Sequence, residues 1–277
     1  VSVAPRRARA GAALVAIVAL IVLAGCGGGG KTDVALPWKP SALTWVDRHF
    51  VRTLDSCAVG QSGCTWVRLE WVEPAGGPSV ALRESLSAWV QARLLDSDNA
   101  GDTLARDPIA AVDSFLAQNR AFREQFPDAA SIGWYRDVRV ETFGDTLGIV
   151  TLRSTSERFG GGAHPLRTVL YGAFDRHSGH QFRLDDLVAP GARAALDSLG
   201  EQAFRAAREV PAPRSLRDAM FTFEGDRFQL NGNFGIGRNG LTVEFNPYEI
   251  APYVEGPTSI TLGWSAVRGL LTLPPRR

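Results

Sequence analysis

The chain is poor in the residues that most often carry chemistry. It holds three cysteines and four histidines in 277 residues. The histidines, His49, His164, His177 and His180, are too scattered to supply the three or four convergent ligands of a metal site. Asp175, His177 and His180 lie close together, but on what reads as a solvated hairpin tip. Neither G-x-S-x-G nor H-E-x-x-H occurs, and no cysteine lies beside a histidine. No catalytic residue, metal or cofactor is therefore expected. Lysine is nearly absent: of 30 basic residues only Lys31 and Lys39 are lysines, a bias that reflects genome composition more than function. Net charge is +1, which leaves no support for nucleic-acid binding or a polybasic membrane surface. No internal repeat is visible at a fixed period. What the chain does have is apolar mass, 45% of residues with seven tryptophans, which argues for a globular rather than a disordered protein.

The start of the chain gives an address. Arg6, Arg7 and Arg9 precede an apolar run from Ala12 to Leu23, and Leu23-Ala24-Gly25-Cys26 closes it. The run is shorter than the ~20 residues of a membrane-spanning helix. A basic n-region, a short apolar core and small residues before a cysteine make a bacterial lipoprotein signal. Cleavage before Cys26 removes three arginines and no acids, moving the net charge from +1 to about −2. Gly27 to Gly30 then form a flexible leash. The expected location is the cell envelope, anchored by lipid outside the cytoplasm, in an outer membrane or on a periplasmic face; an uncleaved anchor helix is the alternative. Such a compartment permits disulfides, and Cys57 and Cys64 flank a turn-rich stretch that suits one.

Periodicity sets the architecture. Strands are expected over Thr44 to Leu54 and Thr65 to Val72, where Val67, Leu69 and Trp71 alternate with Arg68 and Glu70. Ser79 reads as the cap of a helix to Leu95 with Leu82, Leu86, Trp89 and Val90 on its apolar side. Asp107-Pro108 starts a second helix, with Ile109, Val112, Leu116, Phe122 and Phe126 expected to be buried. Two strands, Trp134 to Phe143 and Leu147 to Phe159, read as a hairpin turning at Gly144-Asp145. Leu166 to Phe174 and Gln181 to Leu184 follow as strands, then a helix from Ala192 to Ala207, then strands over Phe228 to Ile236, Leu241 to Phe245 and Ser259 to Leu262. Elements come in blocks rather than as βαβ units, which predicts an α+β fold, mainly antiparallel, with about three helices. Gly235-Ile236-Gly237-Arg238-Asn239-Gly240 fits G-x-G-x-x-G, but a strand rather than a helix follows it, so it reads as a hairpin turn and not a nucleotide site.

Two segments do not read as ordinary scaffold. In Phe159-Gly160-Gly161-Gly162-Ala163-His164 the glycines permit left-handed backbone or close approach, and His164 either bonds the turn or lines a site. The stretch Phe245 to Pro257 carries three prolines and two tyrosines in thirteen residues. Proline pre-orders a loop and tyrosine offers a large amphipathic surface, a combination suited to recognition; a rigid loop packed on the sheet is the alternative. The candidate binding residues are Gly161, Gly162, His164, Asn246, Pro247, Tyr248, Pro252 and Tyr253.

These segments also carry a family resemblance. Gly161-Gly162-Ala163-His164, Phe174-Asp175 through Gly179, and Leu184-Asp185-Asp186-Leu187 resemble the extracytoplasmic domain beside the catalytic domain of the peptidoglycan deacetylase PdaC. The run Asn246-Pro247-Tyr248-Glu249-Ile250-Ala251-Pro252-Tyr253 with Gly256 resembles the RsiV-type domain that usually follows it. The likeness spans roughly residues 40–272. It divides the chain into a signal peptide (1–25), a lipidated cysteine and linker (26–40), a PdaC-type domain (41–185) and an RsiV-like domain (186–277). It implies an α+β ligand-binding module, because the best understood relatives are anti-sigma factors whose outer domain binds lysozyme; by position, Pro247, Tyr248, Pro252 and Tyr253 would form the contact loop. With about ten residues before the apolar run and no deacetylase metal motif, the expectation is the binding part alone on a lipid leash. Its partner would be a lysozyme-like protein or peptidoglycan. Two other readings stay open: a hydrolase of envelope glycans using acids such as Glu249 or Asp186, and a structural or assembly lipoprotein.

Overall fold

Five strands form the first sheet, in the order β1 to β5: β1 (Thr44–Thr53), β2 (Trp66–Gly76), β3 (Tyr135–Thr146), β4 (Ile149–Phe159) and β5 (Leu166–Asp175). The computed structural model describes residues 42–95, 107–129 and 131–274. The signal, Cys26 with its glycine leash, and the loop at 96–106 lie outside the described residues. All pairings in this sheet are antiparallel except β2 with β3, which is parallel. A parallel neighbour needs a long crossover; here it contains α1 (Val80–Leu95) and α2 (Pro108–Gln125).

Both helices start where their caps dictate. Ser79 Oγ accepts from the Leu82 amide at 3.0 Å, and Asp107 Oδ1 accepts from Ile109 N at 3.2 Å ahead of Pro108. α1 buries Leu82, Leu86, Trp89, Val90 and Leu94. α2 buries Ala111, Val112, Phe115, Leu116 and Asn119. Ile109 and Phe126, expected inside, are exposed: the buried stripe runs through 112, 115, 116 and 119, and these two sit at the ends of the helix outside it. Arg136, 4% exposed, reaches from β3 to the carbonyls of Leu94 (2.8 Å) and Arg93 (3.4 Å), so a buried cation closes the C-terminus of α1. Val67, Leu69, Val138, Val140, Val150, Leu152 and Phe174 supply the sheet side of this core. The disulfide Cys57–Cys64 closes the loop after β1.

The β3–β4 hairpin does not turn at Gly144-Asp145. It turns three residues later at Leu147-Gly148, both left-handed (φ 55° and 76°), the backbone that a two-residue hairpin loop demands. Gly144 instead sits at a register shift in β3, where a Cβ would come within 2.4 Å of the Ile236 carbonyl. The turn signal was thus a bulge made for the approach of the second sheet.

That sheet has the order β6 (Phe234–Ile236), β7 (Gly240–Phe245), β8 (Thr258–Gly263), all antiparallel. The expected strand from Phe228 shrinks to three residues, and Gln181 makes only an isolated bridge with Phe174. Short α3 (Leu184–Leu187), α4 (Arg193–Ala207) and short α5 (Trp264–Val267) complete the unit. Leu241, Val243 and Phe245 of β7 join Leu196 and Phe204 of α4 in a second core that also takes Ile149 and Ala173. Phe204 is its centre, with Phe221, Phe223, Phe228 and Phe245 at 5.0–5.7 Å. The glycines of the G-x-G-x-x-G run have packing roles. A Cβ at Gly235 would strike Tyr171 (2.6 Å) and one at Gly237 would strike Phe143 (2.7 Å).

The result is an α+β fold, mostly antiparallel, with three helices longer than two turns among the described residues. No described helix is long and apolar enough to cross a membrane.

Candidate functional site

The two unusual segments meet in space. The glycine-rich turn joins β4 to β5. Gly161 is left-handed (φ +83°), and a Cβ there would lie 2.7 Å from Trp134 Nε1, whereas Gly160 and Gly162 face open space. The turn delivers His164 onto Tyr253, ring on ring at 3.6 Å and 16°. Tyr248 stands 5.6 Å from Tyr253, and its hydroxyl lies 3.0 Å from His164 Nε2. His164 Nδ1 is 3.1 Å from the Pro165 carbonyl, which also accepts from the Tyr253 hydroxyl at 2.7 Å. A carbonyl only accepts, so the network assigns the proton to Nδ1 and leaves Nε2 to accept from Tyr248.

The remaining residues of the tyrosine–proline stretch divide between scaffold and surface. Asn246 is scaffold: its amide accepts from Val169 N (2.7 Å) and donates to Val169 O (3.0 Å), completing the free edge of β5 as a strand would. Asn233 does the same at Tyr171 N and Val169 O. Glu249 closes its own turn on Asn246 N (2.9 Å) and accepts from Asn231. Ile250 and Ala251 pack on the second core. Pro252, Tyr248 (60% exposed) and Val254 (87%) face outward, while Pro247 and Tyr253 are half-buried. Tyr248 is left-handed, φ 68°, a conformation that costs a bulky side chain about 1–3 kcal/mol. Asp186 likewise serves a turn, accepting from Arg183 N at 2.7 Å. The Asp175 tip is an Asx turn: Oδ1 accepts from His177 N (2.9 Å), Ser178 N (2.6 Å) and Ser178 Oγ (2.9 Å). Burial pushes the Asp175 carboxyl up, but these bonds outweigh it and hold it below its usual value. Among the described residues no group of three His, Cys, Asp or Glu is placed to hold a metal.

A second feature went unnoticed in the sequence. The outer face of the five-stranded sheet is charged in rows. Register sets Arg68 beside Asp137, Asp137 beside Glu157 and Glu157 beside Arg167. The next row is Glu70, Arg139, Thr155, and the one after runs Glu141, Arg153, Tyr171. Trp66, Tyr135 and Phe159 border it as a row of rings, the first pair stacked at 5.1 Å and the second tilted at 6.1 Å. Arg68 grips Asp137 with two hydrogen bonds, Glu141 pairs with Arg153 and with Arg139 (3.3 Å), and Tyr135 donates to Glu157 at 2.7 Å. The charged side chains of these rows, with Thr155, line a cavity of about 360 Å3. Burial, then the Glu157 bond, drives the Tyr135 phenol far above its ordinary value. The Tyr253 hydroxyl donates to the Pro165 carbonyl, two residues before Arg167, so the aromatic loop stands at this rim. At the far end Glu244, 6% exposed, is pushed upward by burial against the pull of Ser259, Arg153 and Arg167. The signal was in the sequence: the polar positions alternating with Val67, Leu69, Val138 and Val140 are nearly all charged. Alternation alone assigns such positions to solvent.

Fold and surface together define an α+β scaffold that displays an aromatic loop beside a charged sheet face. Residues 185–265 match the family described as "Protein of unknown function (DUF3298)". That span contains the tyrosine–proline stretch and Glu244, but not the glycine-rich turn. The whole fold is similar to the crystal structure of a DUF3298 family member from Bacteroides fragilis NCTC 9343, at 18% identity and TM-score 0.66 over 84% of this chain and 95% of that one. It is also similar to a DUF3298 family protein from Pseudomonas aeruginosa PAO1, at 20% identity and TM-score 0.59 over 86% and 99%. At such identity the likeness is one of fold. No curated protein matches the chain.

Proposed function

We propose that the protein is a lipid-anchored envelope module, held through Cys26, that binds a lysozyme-like protein or peptidoglycan and performs no catalysis. One observation carries the reading: Tyr248 is held left-handed and largely exposed, with its hydroxyl on His164. The conformation is offset only by surface contacts, the hydrogen bond to His164 and the neighbouring His164 and Tyr253 rings, and not by burial in a core. Strain retained at an exposed aromatic residue is the mark of a recognition surface. Tyr253, His164, Pro252 and Val254 extend the patch, and the hydrogen bonds of Asn246 and Glu249 hold it rigid before a partner arrives, which lowers the entropy cost of binding. The carboxylates suggested as alternative catalysts, Glu249 and Asp186, are each occupied in closing a backbone turn.

Titration with lysozyme and with soluble muropeptides tests this. Tyr248→Gly is expected to keep or slightly raise stability while weakening binding at least tenfold, about 1.4 kcal/mol. A folded protein that binds neither probe refutes the reading. Incorporation of labelled palmitate, lost in Cys26→Ser, tests the anchor.

A further inference from the structure

We propose that the charged outer face of the five-stranded sheet is a subsite for a short zwitterionic peptide, with a ligand carboxylate on Arg167 and a ligand amine on Glu70. The inference deepens the binding reading above, with the peptide part of peptidoglycan as the ligand class.

Size comes first. The cavity of about 360 Å3 falls within the ~300–1,000 Å3 range of small-ligand sites. Its charge is balanced: Arg68, Arg139, Arg153 and Arg167 face Glu70, Asp137, Glu141 and Glu157. A polyanion would meet four carboxylates and a polycation four guanidiniums, so neither is favoured. A ligand carrying both signs is.

The internal pairs then show which groups remain to be used. Arg68 is committed to Asp137, Arg139 and Arg153 to Glu141, and Glu157 to the Tyr135 hydroxyl. Arg167 and Glu70 take part in no hydrogen bond or ion pair among the described residues. One group of each sign is therefore without a direct partner: Arg167 on β5, which acts on Glu244 only at longer range, and Glu70 on β2, which acts likewise on Arg68. These strands lie three places apart in the sheet, about 14 Å at ~4.8 Å per strand, and Glu70 stands one row further along than Arg167, about 7 Å at ~3.4 Å per residue. The two backbone positions are therefore about 16 Å apart, a gap that the Arg167 and Glu70 side chains shorten and a short extended peptide bridges. The guanidinium fork of Arg167 matches a carboxylate in two hydrogen bonds. The groups between are held by bidentate and shared ion pairs on a rigid sheet, so the subsite is preorganised.

Position links it to the loop. The Tyr253 hydroxyl donates to the Pro165 carbonyl, two residues before Arg167, and Asn246 holds Val169, two residues after it, so the platform begins where the aromatic patch ends. A wall fragment seated on the tyrosines has its peptide directed across the charged rows.

The test uses the full-length lipoprotein in detergent and isothermal titration with a muramyl tetrapeptide that has a free side-chain amine and free carboxylates. The comparison ligands are the same compound N-acetylated at that amine, the free tetrapeptide and the peptide-free glycan. N-acetylation is expected to weaken binding to the wild type about tenfold and to leave Glu70→Gln unaffected, the loss of one charge-assisted bond. Arg167→Ala is expected to weaken binding of both peptide ligands about tenfold, and added salt to weaken it further. Equal affinity for the amine and its N-acetyl form, with Arg167→Ala unchanged, overturns the subsite. If Tyr248→Gly alone abolishes binding, the subsite falls and the loop reading stands. If Arg167→Ala and Glu70→Gln cost affinity and Tyr248→Gly does not, the loop reading falls and the subsite stands.

Discussion

Two glycines one residue apart provide the sharpest test of how the candidate loop is built. Gly161 has φ +83°, and a Cβ built on it meets Trp134 Nε1 at 2.7 Å and Cε2 at 3.4 Å; Gly162 has ordinary backbone and nothing within 4 Å. Alanine at 161 incurs a left-handed cost of roughly 1–2 kcal/mol. It also drives a methyl group into the Trp134 indole, whose ring is pinned between Phe115 (6.0 Å) and Phe122 (5.2 Å), so the ring has little room to retreat. Overpacking of that kind adds roughly 1–3 kcal/mol. Gly161→Ala is therefore expected to cost about 2–5 kcal/mol. Gly162→Ala should stay within about 0.5 kcal/mol of wild type, as surface substitutions do. Urea unfolding followed by tryptophan fluorescence reads both, with a lower midpoint and an unchanged slope for the first variant. Equal midpoints for the two variants would refute the reasoning, because they share sequence context and differ only in backbone sign and in what the new methyl group meets.

Asp175→Ala loses three hydrogen bonds at the hairpin tip and is expected to cost about 1–2 kcal/mol at pH 7, while Asp175→Asn keeps the accepting oxygen. Because the folded carboxyl lies below its ordinary 3.8, wild type holds this contribution above that pH and loses it as pH falls through the folded value; a Tm difference from the asparagine variant that grows on acidification contradicts this. Glu244 has the opposite sign. Its folded value is raised above 4.5 by burial, so its contribution is present at low pH and lost as pH rises through the folded value, and Glu244→Gln should gain on wild type between pH 4 and 7; a wild type that gains instead refutes it. Asn246→Ala opens the edge of β5 at Val169 and is expected to cost about 1–3 kcal/mol, with faster amide exchange at Val169 as the readout; unchanged exchange there contradicts the clamp.

Elements whose cause is local were legible in the sequence. Ser79 and Asp107 announce their helices because capping needs one side chain and the next turn. Cys57 and Cys64 announce their bond because they stand only seven positions apart. What failed depends on distant partners. Gly144 has the composition of a turn, but the carbonyl of Ile236, from the other sheet, requires the glycine there, while Leu147 is forced into the turn although nothing in leucine favours it. The parallel pairing of β2 with β3 is invisible for the same reason: alternation fixes which face of a strand is buried, not which strand lies beside it. The charged rows exist only once that pairing brings Arg68 to Asp137.

The same distinction explains why Asn246 reads like Tyr248 in the sequence and behaves differently in the fold. Both lie in one proline-rich run, and both reach residues about eighty positions away, Asn246 at Val169 and Tyr248 at His164. Asn246 makes backbone-type bonds to an edge strand, so it sets where the loop sits. Tyr248 bonds an exposed imidazole and buries little, so the loop stays in place without it. Anchor and display are thus separate residues. A change at His164 or Tyr248 alters the surface a partner meets without moving the strand beneath it, whereas a change at Asn246 shifts every aromatic ring in the patch at once. Variation in what the patch binds is accordingly free at the first two positions and constrained at the third.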